Sequence, residues 1–302
     1  MTDRPVFIAG LDRAGKTPMR IAVERSASIA LARRAELWTH HHARHGDLAD
    51  DTVASRAVAA ILRDRHVADQ VHDGARLERE LLDGPRTYAH FFALIGRQHA
   101  EQAGRARWGD QTALIERSAS EILDAFPHAC FVHMIRDPRD RFAASLTGGG
   151  IGRGGASAAC EAWLESVSLA EMHTAAHPDR YLVVRFEDLA HDPRSTLDQV
   201  LAFIGEPLLA PDAAVPVSGK LAAGVGMYAD LLPARAVALI ESRCGAMMLR
   251  HRYLPDEPAL GRFDRLRLTL LDRPLGTATQ LALRARAGGA RRATRATRSG
   301  GA

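Results

Sequence analysis

Residues Gly10 to Thr17 read G-L-D-R-A-G-K-T and complete the pattern G-x-x-x-x-G-K-[ST]. The apolar run Pro5–Ala9 precedes this segment, and Lys16, Thr17 and Pro18 begin a predicted helix. A loop of this kind turns backbone N–H groups inward, and the helix N-terminus adds partial positive charge at the same place. The spacing therefore predicts a phosphate-binding loop, for which a glycine-rich turn without a ligand is the plainer alternative.

The lysine content sharpens this prediction. Of 40 Lys and Arg residues, only Lys16 and Lys220 are lysines. A compact ammonium group can do work that the planar fork of arginine does less well. We therefore expect Lys16 to have a specific task at a phosphate, although two leftover lysines would give the same count.

The elements that position this loop follow from the apolar runs. The runs predict strands at Pro5–Ala9, Ile29–Leu31, Cys130–Ile135 and Tyr181–Arg185. The segment Arg107–Thr112 is interpreted as the end of a strand that opens onto a loop. Helical periodicity fills residues 50–104, and further helices are predicted over 118–126, 156–175 and from Asp192 to Ile204. Strands without alternation, separated by helices, predict an α/β fold of three layers, in which helices flank a central parallel sheet on both faces.

Other polar segments lie between these elements. Glu36 stands about twenty residues beyond the loop, where a parallel sheet would bring the chain back to the same edge. The histidines at 40, 41, 42 and 45 suggest a metal site, but a surface loop is favoured because no supporting ligand spacing is present. Residues 186–189 are interpreted as a polar turn. Residues 148–155 contain six glycines and are interpreted equally well as a lid or a linker.

The bulk properties indicate a globular chain. Its 302 residues are 46% hydrophobic, which is enough for a large core, and no run approaches the ~18 apolar residues that a membrane-spanning helix needs. The N-terminal residues lack the regions of a signal peptide, so we expect a cytoplasmic protein. The three cysteines are scattered among apolar neighbours, which predicts buried small hydrophobes rather than disulfides or a metal site.

The charge is unevenly distributed. Residues 259–302 contain ten Arg and two Asp, a net charge of +8, so the rest of the chain carries −4 of the total of +4. This segment is predicted to be a basic extension, disordered from residue 284 onward. Contact with an anionic membrane and a solvated tail without a partner are both open, and no specific nucleic acid is expected.

Together these motifs resemble the sulfotransferases that use 3′-phosphoadenosine 5′-phosphosulfate (PAPS), especially the bacterial branch. The 5′-phosphosulfate loop P-R-S-G-T-T is matched by Asp12–Thr17, and the 3′-phosphate motif R-D-P-R-D with its following serine by Arg136–Asp140 and Ser145. A W-G-D-K-type segment is matched by Trp108–Gln111, and a strand ending in Y-E-D-L by Val184–Leu189. The resemblance covers about residues 5–255.

The resemblance implies a function for each matched residue. The 5′-phosphosulfate would be held by Arg13, Ala14, Gly15, Lys16, Thr17 and Pro18, of which Arg13 or Lys16 would stabilise charge on the bridging oxygen. The expected nucleotide contacts are completed by Arg136, Ser145, Phe186, Ser218 and Lys220. Glu36 would take the proton of the acceptor, a task that histidines serve in other members of the family. The product would be adenosine 3′,5′-bisphosphate, and no metal is required.

Four departures from the family pattern keep alternatives open. Lys16 replaces the usual Thr, Gln111 replaces Lys, Phe186 replaces Tyr, and Ser145 lies nine rather than eight residues beyond Arg136. Lys16 also completes the pattern of P-loop kinases and NTPases, which would need Mg²⁺ held by Thr17 and by an Asp at the end of an apolar strand. A nucleotide-binding module of the same fold without catalysis is the third interpretation.

The expected organisation is a single sulfotransferase-like domain over residues 1–258, with a helical insertion at about 50–104, followed by the basic extension 259–302. The acceptor is a hydroxyl or amine of a small molecule, glycan or lipid that the sequence does not identify. It does not determine the oligomeric state either.

Overall fold

A central parallel sheet organises the described part of the chain. The computed structural model describes residues 4–147, 155–215 and 219–262. In these residues one sheet contains β1 (Val6–Ala9), β2 (Ile29–Arg33), β3 (Arg107–Gln111), β4 (Cys130–Ile135) and β5 (Tyr181–Arg185). All neighbouring strands are parallel, in the order β2-β3-β1-β4-β5. β1 therefore lies in the middle, and the loop that follows it begins at the centre of the sheet edge.

The sheet is covered on both faces. Every residue of β1 and β4 is buried. Phe7 and Ala9 belong to one hydrophobic cluster, whereas Val6 and Ile8 belong to another, because successive side chains of a strand point to opposite faces. Strands buried on both faces are typical of a parallel sheet between helices. The predicted α/β fold is confirmed.

Eleven α-helices occur in the described residues. They are α1 (Lys16–Ser26), α2 (Asp51–Leu62), α3 (Gly74–Asp83), α4 (Tyr88–Gln102), α5 (Ala119–Ala125), α6 (Pro138–Thr147), α7 (Gly155–Ala176), α8 (Phe186–His191), α9 (Pro193–Ile204), α10 (Tyr228–Leu231) and α11 (Ala234–Arg250). Short 3-10 helices lie at Ala68–Gln70, Ile115–Ser118 and Gly219–Gly224. Residues 50–104 contain helices and no strand, as predicted.

The local chemistry of α9 shows why the predicted boundaries hold. The side chain of Asp192 accepts a hydrogen bond from the Ser195 N–H, and Pro193 occupies the first turn. Gly205 ends the helix with φ of 71°, a conformation that glycine adopts without a steric cost. The polar residue, proline and glycine that predicted this helix thus also form its ends.

The described chain forms two compact units. The first contains the sheet and consists of the chain up to Arg136 together with Ser166–Val225. The second consists of Asp137–Glu165 and the chain from Gly226 onward. The predicted single domain ending at residue 258 stays a prediction.

Two local predictions are wrong. The expected polar turn at 186–189 is part of helix α8, for which Glu187 and Asp188 supply the acidic first turn that favours a helix. The expected surface loop of histidines begins with a π-helical turn, Leu37–His41, in which His41 is buried. The His41 Nε2 lies 2.9 Å from Asp64 Oδ2, and this hydrogen bond gives the buried ring a polar partner.

The structure also bears on the cysteines, on membrane-spanning helices and on the extent of the described chain. The three cysteines are free and buried, as predicted. None of the helices in the described ranges is long and apolar enough to cross a membrane. Residues 148–154, the segment 216–218 and the chain beyond residue 262 lie outside the described residues, and with them most of the glycine-rich segment and of the basic extension.

Candidate functional site

The loop after β1 has the backbone of a phosphate cradle. Gly10 has φ of 110°, and a Cβ atom there would lie 2.2 Å from the carbonyl oxygen of Met134. Gly15 has φ of 96° and caps the N-terminus of α1, as the sequence predicted. Ala14 is buried, Pro18 is half-buried, and Arg13 and Thr17 are exposed. Both glycines are therefore required, because a side chain would clash at Gly10 and strain the turn at Gly15.

Lys16 is a buried cation in this loop. Its side chain is 4% exposed, and its Nζ lies 3.6 Å from Asp12 Oδ1, too far for a hydrogen bond. Among the described residues this Nζ has no hydrogen-bond partner. Burial lowers the pKa of Lys16, while Asp12, Glu116 and Asp110 act in the opposite direction. The Lys16 ammonium has three N–H donors, and an anion such as a phosphate or sulfate group in the loop would supply acceptors for them.

Asp110 on β3 is a site residue that the sequence analysis did not name. Its Oδ2 accepts a hydrogen bond of 2.9 Å from the Thr112 hydroxyl, whereas its buried Oδ1 has no partner in the described ranges. Burial raises the pKa of Asp110 to about 7, against the opposing effects of Thr112, the Ala35 and Gln111 amides and Lys16. The clue available in the sequence was an Asp near the end of a short strand, at the same edge as the loop.

Glu36 is tied to the same edge through its backbone. Its N–H donates to the Thr112 hydroxyl at 3.3 Å, and its φ is 53°. Left-handed backbone is uncommon for a residue other than glycine and often marks a functional position. The Glu36 side chain is half-buried. The structure thus joins the backbone of the predicted base to Asp110 through one hydroxyl group.

Arg136 and Phe186 meet the loop from the other side of β1. The Arg136 guanidinium donates to the carbonyl of Arg13 at 2.9 Å and to the carbonyl of Gly224. It also lies 4.4 Å from the centre of the Phe186 ring, a cation–π contact. A Cβ atom on Gly15 would lie 2.6 Å from that ring. The structure therefore brings three predicted site residues together with the 3-10 helix Gly219–Gly224.

Three further residues were predicted to contact the nucleotide: Ser145, Ser218 and Lys220. Ser145 belongs to the second unit, where its hydroxyl donates to the Phe142 carbonyl at 2.6 Å. Ser218 lies outside the described residues. Lys220 lies in the 3-10 helix Gly219–Gly224, but its side chain is not described. The functions assigned to these three residues stay predictions.

The rest of the R-D-P-R-D motif has partners in the second unit. Arg139 donates to Asp137 at 2.7 Å, to Glu241 at 2.6 Å and to the Leu254 carbonyl at 2.9 Å. Its guanidinium lies 4.2 Å from the centre of the Tyr228 ring. Asp140 accepts hydrogen bonds from the N–H groups of Gly226 and Tyr228. These residues hold α6 to the segments around α10 and α11.

A metal centre is not indicated by the described side chains. Within the described ranges no group of three or more His, Cys, Asp or Glu residues could hold a metal ion. The histidine cluster pairs internally instead, since His41 Nδ1 lies 3.2 Å from His45 Nε2.

Comparison with known proteins identifies the family. The profile of the Sulfotransferase family matches residues 5–211, more than half of the chain. The sulfotransferase domain of the Synechococcus PCC 7002 olefin synthase has a similar fold, with a TM-score of 0.51 and 20% identity over 80% of this chain and 95% of that one.

More distant structures include the sulfotransferase STF1 from Mycobacterium tuberculosis, with a TM-score of 0.47 and 15% identity over 82% of this chain and 77% of that one. No curated protein sequence matches the chain. The profile match spans the phosphate-binding loop, the R-D-P-R-D motif and all five strands, and the chain belongs to the sulfotransferase family.

Proposed function

We propose that this sulfotransferase moves a sulfuryl group from PAPS to a hydroxyl or amine acceptor. The observation that carries this proposal is Lys16, a buried ammonium without a hydrogen-bond partner among the described residues, at the N-terminus of α1. A helix N-terminus and an unsatisfied cation together favour a phosphosulfate group over any neutral ligand.

The reaction needs one base and one group that stabilises the leaving oxygen. The acceptor oxygen attacks sulfur, the bond between sulfur and the bridging phosphate oxygen breaks, and adenosine 3′,5′-bisphosphate leaves. Lys16 and Arg13 would stabilise the charge that grows on the bridging oxygen. Glu36 would take the proton of the acceptor, because Thr112 holds its backbone beside the loop.

The nucleotide would lie along the loop and against Arg136. The backbone amides of Gly15, Lys16 and Thr17 would surround the 5′-phosphosulfate, whereas the Ala14 N–H donates to the Leu11 carbonyl and Pro18 has no N–H. The Arg136 guanidinium, which donates to the carbonyls of Arg13 and Gly224, would also bind the 3′-phosphate. Phe186, Ser145, Ser218 and Lys220 complete the proposed contacts.

Thermal-shift measurements test this proposal. Adenosine 3′,5′-bisphosphate should stabilise the protein without Mg²⁺, and more than AMP does; at one hundred times its dissociation constant a specific ligand adds about 2.7 kcal/mol. Arg136→Ala should weaken bisphosphate binding about tenfold, since one charged phosphate contact is lost. The loss should be smaller for adenosine 5′-phosphosulfate, which has no 3′-phosphate and is affected only through the lost hydrogen bond to the Arg13 carbonyl. Stabilisation by AMP equal to that by the bisphosphate contradicts the proposal.

One observation favours the P-loop kinase or NTPase as a second candidate. Asp110 pairs in register with Phe7 of β1, so an acid stands on the strand next to the loop, where a magnesium-binding Asp is required. ATP with Mg²⁺ is therefore the decisive comparison in the thermal-shift series. Stabilisation by ATP only when Mg²⁺ is present, without a response to the bisphosphate, selects this candidate.

An assay of sulfuryl transfer distinguishes an enzyme from a binding module that has no activity. The same assay tests Glu36 as the base. Slow PAPS hydrolysis or transfer to a screened acceptor should be measurable, and Glu36→Gln should lower it by ~10²–10⁴-fold while nucleotide affinity is kept. Undiminished transfer by that variant removes Glu36 and leaves His40 to His45 as the candidates. A wild-type protein that binds the bisphosphate but transfers no sulfuryl group supports the non-catalytic module.

The proposal also includes the source of the protein, its compartment and its partners. We infer a bacterial protein of the cytoplasm that acts on a small-molecule, glycan or lipid acceptor and binds no specific nucleic acid. The basic extension from residue 259 offers charge for peripheral contact with an anionic membrane.

A further inference from the structure

Glu116 is a buried carboxylate that the proposed chemistry does not use. It lies on the 3-10 helix Ile115–Ser118, and no part of it is exposed. Its Oε2 accepts a hydrogen bond of 3.2 Å from the N–H of Gly10, the first residue of the phosphate-binding loop. Its Oε1 accepts a hydrogen bond of 2.5 Å from the Ser166 hydroxyl. Glu116 thus holds the loop from the side of the protein interior.

A chain of buried polar groups continues from Ser166. The Ser166 hydroxyl lies 3.1 Å from His133 Nε2, and His133 Nδ1 lies 2.7 Å from the Tyr181 hydroxyl. Each of these side chains is at most 1% exposed. His173 Nε2 donates separately to the backbone carbonyl of Glu116 at 3.0 Å. α7 therefore contacts Glu116 directly through Ser166 and His173, and β4 and β5 extend the chain through His133 and Tyr181.

One arrangement of these hydrogen bonds satisfies every donor, and it places no proton on Glu116. If Glu116 is an anion, Tyr181 donates to His133, the His133 Nε2–H donates to Ser166, and Ser166 donates to Glu116. Every donor in the chain is then satisfied with a neutral imidazole. If Glu116 carried a proton, each bond would reverse and the Tyr181 O–H would have no acceptor among the described residues. A buried donor without an acceptor is unfavourable, so the network stabilises the carboxylate.

Lys16 is a buried cation on which this charge acts. Three carboxylates act on it, those of Asp12, Glu116 and Asp110. Asp12 is 65% exposed, so water screens its charge. Asp110 has a pKa of about 7 and is therefore partly protonated near neutral pH. Glu116 is fully buried and accepts hydrogen bonds from the Gly10 N–H and the Ser166 hydroxyl.

We propose that Glu116 is a positioning residue, which fixes the start of the phosphate-binding loop through Gly10 and supplies the negative charge that keeps Lys16 an ammonium in its buried place. This inference rests on the proposed function, because Lys16 must be charged to stabilise the leaving oxygen of the nucleotide. It adds a reason why Lys16 stays protonated: the negative charge of Glu116, a carboxylate behind the loop that touches neither the substrate nor the reacting atoms.

The chain offers a direct measurement, because Lys16 and Lys220 are its only lysines. Protein labelled with ¹³C and ¹⁵N in lysine gives two side-chain resonances, which Lys220→Arg assigns. Glu116→Gln keeps the shape and the bond to Gly10, removes the charge and reverses the hydrogen bond to Ser166. Lys16 should lose its proton at a lower pH in Glu116→Gln than in the wild type. Ser166→Ala is the matched control, because it removes a hydrogen bond without removing the charge, and should leave this titration close to that of the wild type.

Ligand binding supplies the second readout. The ratio of the Glu116→Gln to the wild-type dissociation constant for adenosine 3′,5′-bisphosphate should rise about tenfold between pH 7 and pH 10, as Lys16 loses its proton earlier in the variant. If Glu116 had only a structural role, Glu116→Gln would weaken bisphosphate binding by the same factor at both pH values. A wild type that does not bind the bisphosphate refutes the proposed function, whereas the lysine titration needs no ligand and tests Glu116 by itself.

Glu116→Asp covers the case in which Glu116→Gln does not fold. It keeps the charge but shortens the reach to Gly10, so the Lys16 titration should stay near that of the wild type while bisphosphate binding weakens. The proposal is overturned if Lys16 titrates alike in the wild type and in Glu116→Gln. It is equally overturned if Glu116→Asp lowers the Lys16 pKa although its negative charge is kept.

Discussion

The phosphate-binding loop of the first unit contains the buried cation Lys16, and the second unit contains the buried cation Arg139. The two cations differ in whether their N–H donors have partners. Lys16 is 4% exposed and has no hydrogen-bond partner among the described residues, whereas Arg139 is 3% exposed and donates to Asp137, Glu241 and the Leu254 carbonyl. Burial lowers the pKa of both residues, but for Arg139 the hydrogen bonds and charge of Asp137 outweigh burial and raise it.

The difference separates a binding group from a structural one. A buried cation whose donors are satisfied stabilises the fold as long as its partners stay in place. A buried cation with unsatisfied donors costs free energy in the unliganded protein, and that cost is recovered when an anion binds. The family motif contributes to both regions, because Arg136 lies at the loop while Arg139 ties the second unit together.

The largest effect on stability is expected for Arg139→Ala. The change leaves the carboxylates of Asp137 and Glu241 without their buried partner, which should lower the free energy of unfolding by ~3–5 kcal/mol. Urea denaturation measures this loss. Arg76→Ala is the control, since Arg76 pairs with Glu80 and Glu101 at the surface and should cost at most about 1 kcal/mol. Equal losses for both variants would remove the distinction between a buried clamp and a surface pair.

Lys16→Met, unlike Arg139→Ala, should lower turnover without lowering stability. Turnover should fall by ~10²–10³-fold, because a group that stabilises the leaving oxygen is lost. The free energy of unfolding should stay the same or rise, since methionine has a similar shape and no donors to satisfy. Turnover assays and urea denaturation of one preparation give both values. A loss of stability comparable to that of Arg139→Ala would show that Lys16 is a structural cation as well.

Asp110→Asn should change the pH dependence of stability. The folded-state pKa of about 7 lies above the ordinary value of 3.8, so the folded protein holds this proton more tightly than the unfolded chain does. Stability from this group is therefore present at low pH and is lost as the pH rises from about 4 to 7. The variant should remove a slope of up to ~1.4 kcal/mol per pH unit in that window.

Unfolding measured at several pH values between 4 and 7 checks this prediction. Asp12→Asn is the matched control, because it removes an exposed carboxylate beside the same lysine. The same slope in the wild type and in Asp110→Asn would mean that Asp110 is ionised throughout and balances Lys16 as Asp137 balances Arg139.

The sequence predicted most of the fold and the first layer of the site. Five strands, the helices between them and the loop from Gly10 to Thr17 were predicted from local patterns of apolar residues, glycine and proline. Arg136 and Phe186 were named through the family motifs, and both meet the loop. The polar segments beside strands were predicted less well, since α8 was expected to be a turn and His41 to be exposed.

Only the tertiary structure determined which charges face one another. Asp110 and Glu116 lie about a hundred residues from Lys16 in sequence, and they act on it because the order β2-β3-β1 brings the end of β3 beside the loop. Glu241 likewise meets Arg139 across 102 residues. Local periodicity specifies which faces of strands and helices are buried, but the pairing of buried charges depends on strand order and packing, which contacts between distant segments decide.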